Sequence, residues 1–168
     1  MLTTQMENAL NKQVNAELYS SYLYLSMESY FQSLNLPGFA TWMRSQVQEE
    51  IFHAMKFYNF IHERGGKVVL AGIDRPESNW ESPFNAFEHI LAHEQKVTGL
   101  INNLMDQAMS QKDHATQIFL QWFVTEQVEE EDSVNAIVQK LKLIGDNPSG
   151  LFLLDAELGK RTFTMPTA

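Results

Sequence analysis

An all-α bundle of four long helices, with one long crossover and a short fifth C-terminal helix, is the architecture expected of this 168-residue chain. Three observations lead there. Apolar residues recur at helical spacing in four segments of about 30 residues. Pro37, Pro76, Pro83, Pro148 and Pro166 punctuate the chain, and none interrupts a long periodic segment. Two of the three connections between long segments are a few residues, which makes antiparallel hairpins, and the third is long.

The first segment runs from about Thr4 to Asn35, opened by the capping box Thr4-Gln-Met-Glu7. Leu36-Pro37-Gly38 ends it, and the second runs on to Gly65-Gly66. Ser82-Pro83, an N-cap followed by proline in the first turn, starts the third, which continues to about Gln111. Asp113 caps the fourth, which reaches Gly145. A fifth follows Asn147-Pro148 and carries Leu151, Leu153, Leu154 and Leu158. Between Gly65 and Ser82 no helical pattern appears; extended, that link spans roughly 55–60 Å. A helix of about 28 residues is roughly 42 Å long, so the link can run the length of the bundle and set helices two and three parallel. The expectation is one domain over residues 1–168, with the bundle at about 4–145 and the fifth helix at about 148–162.

Composition narrows the function. A chain of this length buries roughly two-thirds of its unfolded surface. It is 44% hydrophobic and 20% charged, with a net charge of −9. Its one adjacent basic pair is Lys160-Arg161, so nucleic acid and anionic membranes are not expected as partners. There is no cysteine, hence no disulfide, thiolate metal site, iron–sulfur cluster or thiol nucleophile. Met-Leu-Thr-Thr-Gln at the start lacks a basic segment followed by an apolar run, so no signal peptide is expected, and no apolar run approaches the about 18 residues of a membrane span. A cytoplasmic location is the expectation.

Four glutamates break the apolar stripes. Glu50 shares its helix face with Met43, Val47, Ala54 and Phe57, and His53 lies one turn on. Glu94 sits amid Phe87, Ile90, Leu91, Val97 and Ile101; Glu130 amid Phe123, Val134 and Ile137; Glu17 with Leu10, Val14 and Tyr24. Each unpaired buried charge costs several kcal/mol. None of the 12 Lys and Arg falls on these stripes, which leaves metal cations as partners. One carboxylate from each of two helices, with Glu-x-x-His from the other two, is the recognised ligand pattern of di-iron and di-manganese bundles. Here Glu17 and Glu94 are the single carboxylates and Glu50-His53 an intact pair. The fourth helix departs: Glu126-Gln127-Val128-Glu129-Glu130 has no histidine. Imidazole with carboxylates suits iron, manganese or zinc, and four negative charges match two divalent cations.

This constellation, the long crossover and the short fifth helix together resemble a prokaryotic non-haem ferritin over essentially the whole chain, giving a ferritin-like four-helix bundle. The resemblance implies that Glu17, Glu50 and His53 hold one iron of a ferroxidase centre. Glu50 bridges to a second iron held by Glu94 and Glu130, with Gln127 near it. A third metal position would use Glu49, Glu126, Glu129 and Glu130. Tyr24 matches the family's tyrosine beside the centre, which with Glu50 and His53 forms the expected catalytic set. The reaction implied is oxidation of Fe(II) to Fe(III) by dioxygen or peroxide, with storage as ferric mineral inside a homo-oligomeric shell of 24 subunits. Gln127 offers a neutral amide oxygen, a weaker ligand for ferric ion than carboxylate, and one loosely held iron suits a centre that passes its product on.

Haem is not expected: Ile51 stands where bacterioferritins place the haem methionine. Rubrerythrin-like proteins need cysteines. Two other classes stay open: a redox enzyme with a fixed di-iron or di-manganese cofactor, against which Gln127 and the missing second histidine argue, and a non-catalytic interaction bundle, against which the buried carboxylates argue. His62 points away from His53. His89 and His93 point away from Glu94 and read as a solvated pair. His114 reads as a turn residue, and Trp42 and Trp122 as packing.

Overall fold

The computed structural model describes residues 1–164; Pro166, read above as a break, lies outside them. Five helices make up the fold: α1 Thr4–Ser33, α2 Pro37–Glu63, α3 Pro83–Ser110, α4 His114–Ile144 and α5 Pro148–Leu158. The expected caps hold with one shift. Ser82 Oγ accepts from the Asn85 amide, Asp113 from the Thr116 amide, and Asn147 from Ser149 and Gly150. In α1 the cap is Thr3, not Thr4: its hydroxyl accepts from the Met6 amide at 3.1 Å. The capping-box spacing placed the motif one residue late, because Thr3 and Thr4 are both capable caps. Gly145 ends α4 with φ 54°, a left-handed turn that glycine adopts without strain.

Residues 65–82 climb the outside of α1. Asn11 bonds the Lys67 carbonyl at 2.9 Å and the Val69 amide at 2.7 Å, Asn15 the Gly72 carbonyl at 3.2 Å, and Ser26 the Glu77 carbonyl at 2.6 Å. The partners advance together along both segments, so the crossover runs parallel to α1. The chain thus leaves α2 beside the start of α1 and enters α3 at the opposite end. That makes α2 and α3 parallel, with α1 packed on α2 and α3 on α4.

The core falls into two apolar halves. One gathers Leu23, Met27, Phe31, Phe39, Phe87, Val134 and Leu141. The other gathers Met6, Leu10, Phe57, Ile61, Ile101, Leu120 and Phe123, with Phe57 stacked on Phe123 at 4.1 Å between ring centroids. Between them all four helices contribute polar side chains to one layer.

The fifth helix, expected to lie outside the bundle, packs one face on it. Leu154 and Leu158 join the first apolar half. Asp155 Oδ1 accepts from the Gly38 and Phe39 amides at 2.8 and 3.0 Å, capping α2 from another helix. Gly38 is required there: a Cβ would come 1.7 Å from the Asp155 carbonyl oxygen. The helix ends at Leu158 rather than near residue 162, leaving Phe152 and Leu153 exposed on its other face.

Candidate metal centre

Glu17, Glu50, His53, Glu94, Gln127 and Glu130 are all buried, each no more than 4% exposed. Each falls where the helical period turns an apolar stripe inward, so α1, α2, α3 and α4 aim them at one another. One carboxylate oxygen each of Glu17 and Glu50 and a ring nitrogen of His53 lie within 4.8 Å of one another, close enough for one metal ion. A second such group joins His53, Glu126 and Glu130. His53 Nδ1 is 3.4 Å from Glu50 and its Nε2 is 3.9 Å from Glu126.

The remaining expected residues sit as follows. Glu94 faces the same layer but lies in neither group: it accepts from the Tyr24 hydroxyl and from Gln127 Nε2, the latter at 3.2 Å. Gln127 therefore turns its amide nitrogen, not its oxygen, toward Glu94. Glu129 is exposed. Glu49 is half-buried and bonded by Arg161 at 2.5 Å, so neither it nor Glu129 joins the nearest cluster.

Several contributors escaped the sequence reading. Gln13 Nε2 donates to Glu17 at 2.9 Å and Gln46 Nε2 to Glu130 at 2.9 Å. Both lie four residues before a glutamate of the layer, on the same stripe, so the same polar-on-apolar signal was present. His93 is a correction. It is buried, not solvated, and its Nε2 lies 2.8 Å from Ser20 Oγ; the α1–α3 seam covers a helix face that angle alone assigned to water. His89 accepts from Trp80 Nε1 at 2.9 Å. Trp122 and His53 meet edge to face, 5.4 Å between centroids, with Lys56 Nζ over the Trp122 ring, 4.2 Å from its centroid.

Burial dominates the electrostatics. It raises Glu17 from 4.5 to about 7, partly opposed by the Gln13 bond. It raises Glu130 to about 8, with the charge of Glu94 adding. Glu50 is raised well above the ordinary range by burial and by the charges of Glu94 and Glu17. Glu94 is raised by burial, against its bonds from Tyr24 and Gln127. His53 is lowered to about 4 by burial and then by Lys56, leaving a neutral imidazole free to coordinate. Among the described residues no Lys or Arg forms an ion pair with Glu17, Glu50, Glu94 or Glu130. Glu17 Oε2 and Gln46 Oε1 are buried without any hydrogen-bond partner. A buried carboxylate with an unpartnered oxygen, grouped with Glu50 and His53, is what a divalent cation satisfies. The donor set therefore fits hard or borderline metal ions.

Fold and site together define a four-helix carboxylate–histidine metalloprotein bundle. Residues 7–144 match the family described as the ferritin-like domain. The chain is 45% identical over 161 residues to the bacterial non-heme ferritin of Bacteroides fragilis (strain 638R), covering 96% of this chain and 100% of that one. It is 38% identical over 163 residues to that of Staphylococcus aureus (strain USA300), covering 97% and 98%. Among solved structures, an engineered closed form of the Archaeoglobus fulgidus ferritin is 54% identical, with a TM-score of 0.97 and coverage of 98% and 100%. The open-pore ferritin of the same archaeon is 54% identical with a TM-score of 0.96, covering 96% and 99%. This chain belongs to the ferritin family.

Proposed function

We propose that this protein is an iron-storage subunit with ferroxidase activity, acting as one ferritin-like domain in a homo-oligomeric shell of 24 subunits in the cytoplasm. The observation that carries the reading is Glu17, with one oxygen lacking any hydrogen-bond partner, grouped with Glu50 and His53 in a layer of buried carboxylates that no Lys or Arg pairs among the described residues. Fe(II) is the substrate. Glu17, Glu50 and His53 hold one ion; Glu50 also reaches the second, which Glu94 and Glu130 hold with Gln127 beside them. Glu94 first gives up its bond from Tyr24, which leaves the phenol next to the pair. Buried carboxyls raised toward neutrality release their protons as the cations enter, so charge stays balanced within the layer. Two Fe(II) together supply the two electrons that take dioxygen to the peroxide level, with two protons completing it. Gln127 leaves the second ion less firmly held than a carboxylate would, and Glu126, Glu129 and Glu130, with Glu49 as the remaining carboxylate of a third position, provide the oxygens along which ferric ion leaves for the shell interior.

The membership of the family and the ferritin names of its relatives support storage over a fixed-cofactor enzyme. No helix among the described residues is long and apolar enough to cross a membrane. Aerobic addition of Fe(II) to the purified native particle tests the reading. Storage predicts rapid oxidation with uptake of hundreds of ions per particle. Saturation near two ions per chain indicates a fixed cofactor, and no uptake an interaction bundle.

A further inference from the structure

The C-terminal segment after α5 brings a cation to the edge of the metal layer. Arg161 Nη2 donates to Glu49 Oε2 at 2.5 Å, and the guanidinium lies 4.4 Å over the ring of Trp42. Two residues on, Phe163 packs against Phe52, 6.5 Å between centroids. The segment is held in place from behind: Asp155 caps α2, Leu154 and Leu158 are buried, and Gly159 lies against Gly38. So the helix that carries Glu49, Glu50 and His53 also anchors the segment that delivers Arg161. Glu49 lies close enough to Glu126 and Glu130 for their charges to interact, and Arg161 also acts on Glu130. No other Lys or Arg among the described residues pairs with a carboxylate of this group.

We propose that Arg161 is a built-in competing cation that holds Glu49 away from the third metal position, so that a metal ion fills that position only by displacing the guanidinium. The inference rests on the ferroxidase reading of the layer and adds a residue that sets the occupancy of one of its positions. Arginine suits the task. It is always charged, bonds a carboxylate strongly and stacks on an aromatic ring while doing so. Its own exposure of about a quarter, 23% of the side chain, keeps the pair exchangeable rather than permanent. The effect on the centre is directional: the third position stays weak enough to pass its ion on.

The test is calorimetric titration of the full-length, metal-free native particle with Zn(II), which binds such ligands without being oxidised. The wild type should take two ions per chain and a third more weakly than either. Arg161→Gln should tighten the third by about tenfold, the worth of one lost charge-assisted bond at a half-buried pair, and leave the first two unchanged. Arg161→Lys should stay near wild type. Arg161→Gln combined with Glu49→Gln should lose the third ion and keep the other two. A merely structural arginine gives the opposite sign, since its loss would loosen the site and weaken binding. An unchanged or weakened third ion in Arg161→Gln, with the first two intact, overturns the competing-cation role alone. Failure of both proteins to bind any Zn(II) overturns the reading of the centre and this role with it.

Discussion

At the scale of single residues, Glu50 and His53 occupy the middle of the layer: His53 belongs to both candidate metal groups, and Glu50 feels the charges of Glu17, Glu94 and Glu130. Glu50→Ala should therefore reduce the initial rate of Fe(III) formation to background. His53→Ala should cost at least the 10–100-fold that loss of an outer supporting residue costs a metal site. A wild-type rate in Glu50→Ala places the chemistry elsewhere. The pH dependence follows from the same groups. A carboxyl raised by folding keeps a proton that the unfolded chain has lost, so its stabilisation is complete below 4.5 and disappears as pH rises through about 7 for Glu17 and about 8 for Glu130. His53 and His93, lowered to about 4, act oppositely between there and 6.5, where the unfolded chain binds protons that the fold excludes. Above 6.5 the carboxyls act alone. Metal-free protein should lose stability from pH 6.5 to about pH 8.5, on the order of 1 kcal/mol per pH unit for each proton released. Saturating Zn(II) should reverse the slope, because binding is itself favoured by proton loss. Thermal unfolding across this range, with chelator and with Zn(II), checks both signs.

At the scale of elements, α5 is tied to the bundle by the Asp155 cap, the buried Leu154 and Leu158, the half-buried Leu151 and the Lys140–Glu157 ion pair. Asp155→Ala removes the acceptor of two α2 amides and should cost about 1 kcal/mol, as loss of a helix cap does; urea unfolding measures it. Phe152 and Leu153 stay exposed on the far face of the same helix, 72% and 69% respectively. Deleting residues after Asp146 should leave a helical bundle, since the four long helices keep their own core, but should impair assembly or leave pores open. Circular dichroism with sedimentation separates the two effects. Loss of helix along with assembly would mean that Leu154 and Leu158 are needed for the bundle itself.

At the scale of the whole molecule, four carboxylates crowded into one layer trade stability for metal affinity. Replacing Glu94 and Glu130 together by Gln should raise the melting temperature of the metal-free protein by several degrees and weaken its gain from metal. No rise without metal, and an undiminished gain with it, would remove these residues from the centre. The native particle should sediment as a hollow shell of 24 subunits. A monomeric mass would sink that assembly and leave the exposed face of α5 unexplained.

Helix positions and the burial of Glu17, Glu50, His53, Glu94 and Glu130 were legible in the residue order, because both are local. Proline and glycine break helices through their own backbone chemistry, and a glutamate four residues from a phenylalanine shares its face in any α-helix. Connection lengths then left one long crossover, and the structure has it. Side-chain partners were not legible in this way. Glu94 turns to Tyr24 and Gln127, His93 is sealed against Ser20, and Arg161 reaches Glu49 across 112 residues of chain. Helical angle gives a residue its direction, but only the packed neighbour decides whether that direction meets water, a metal layer or an opposite charge.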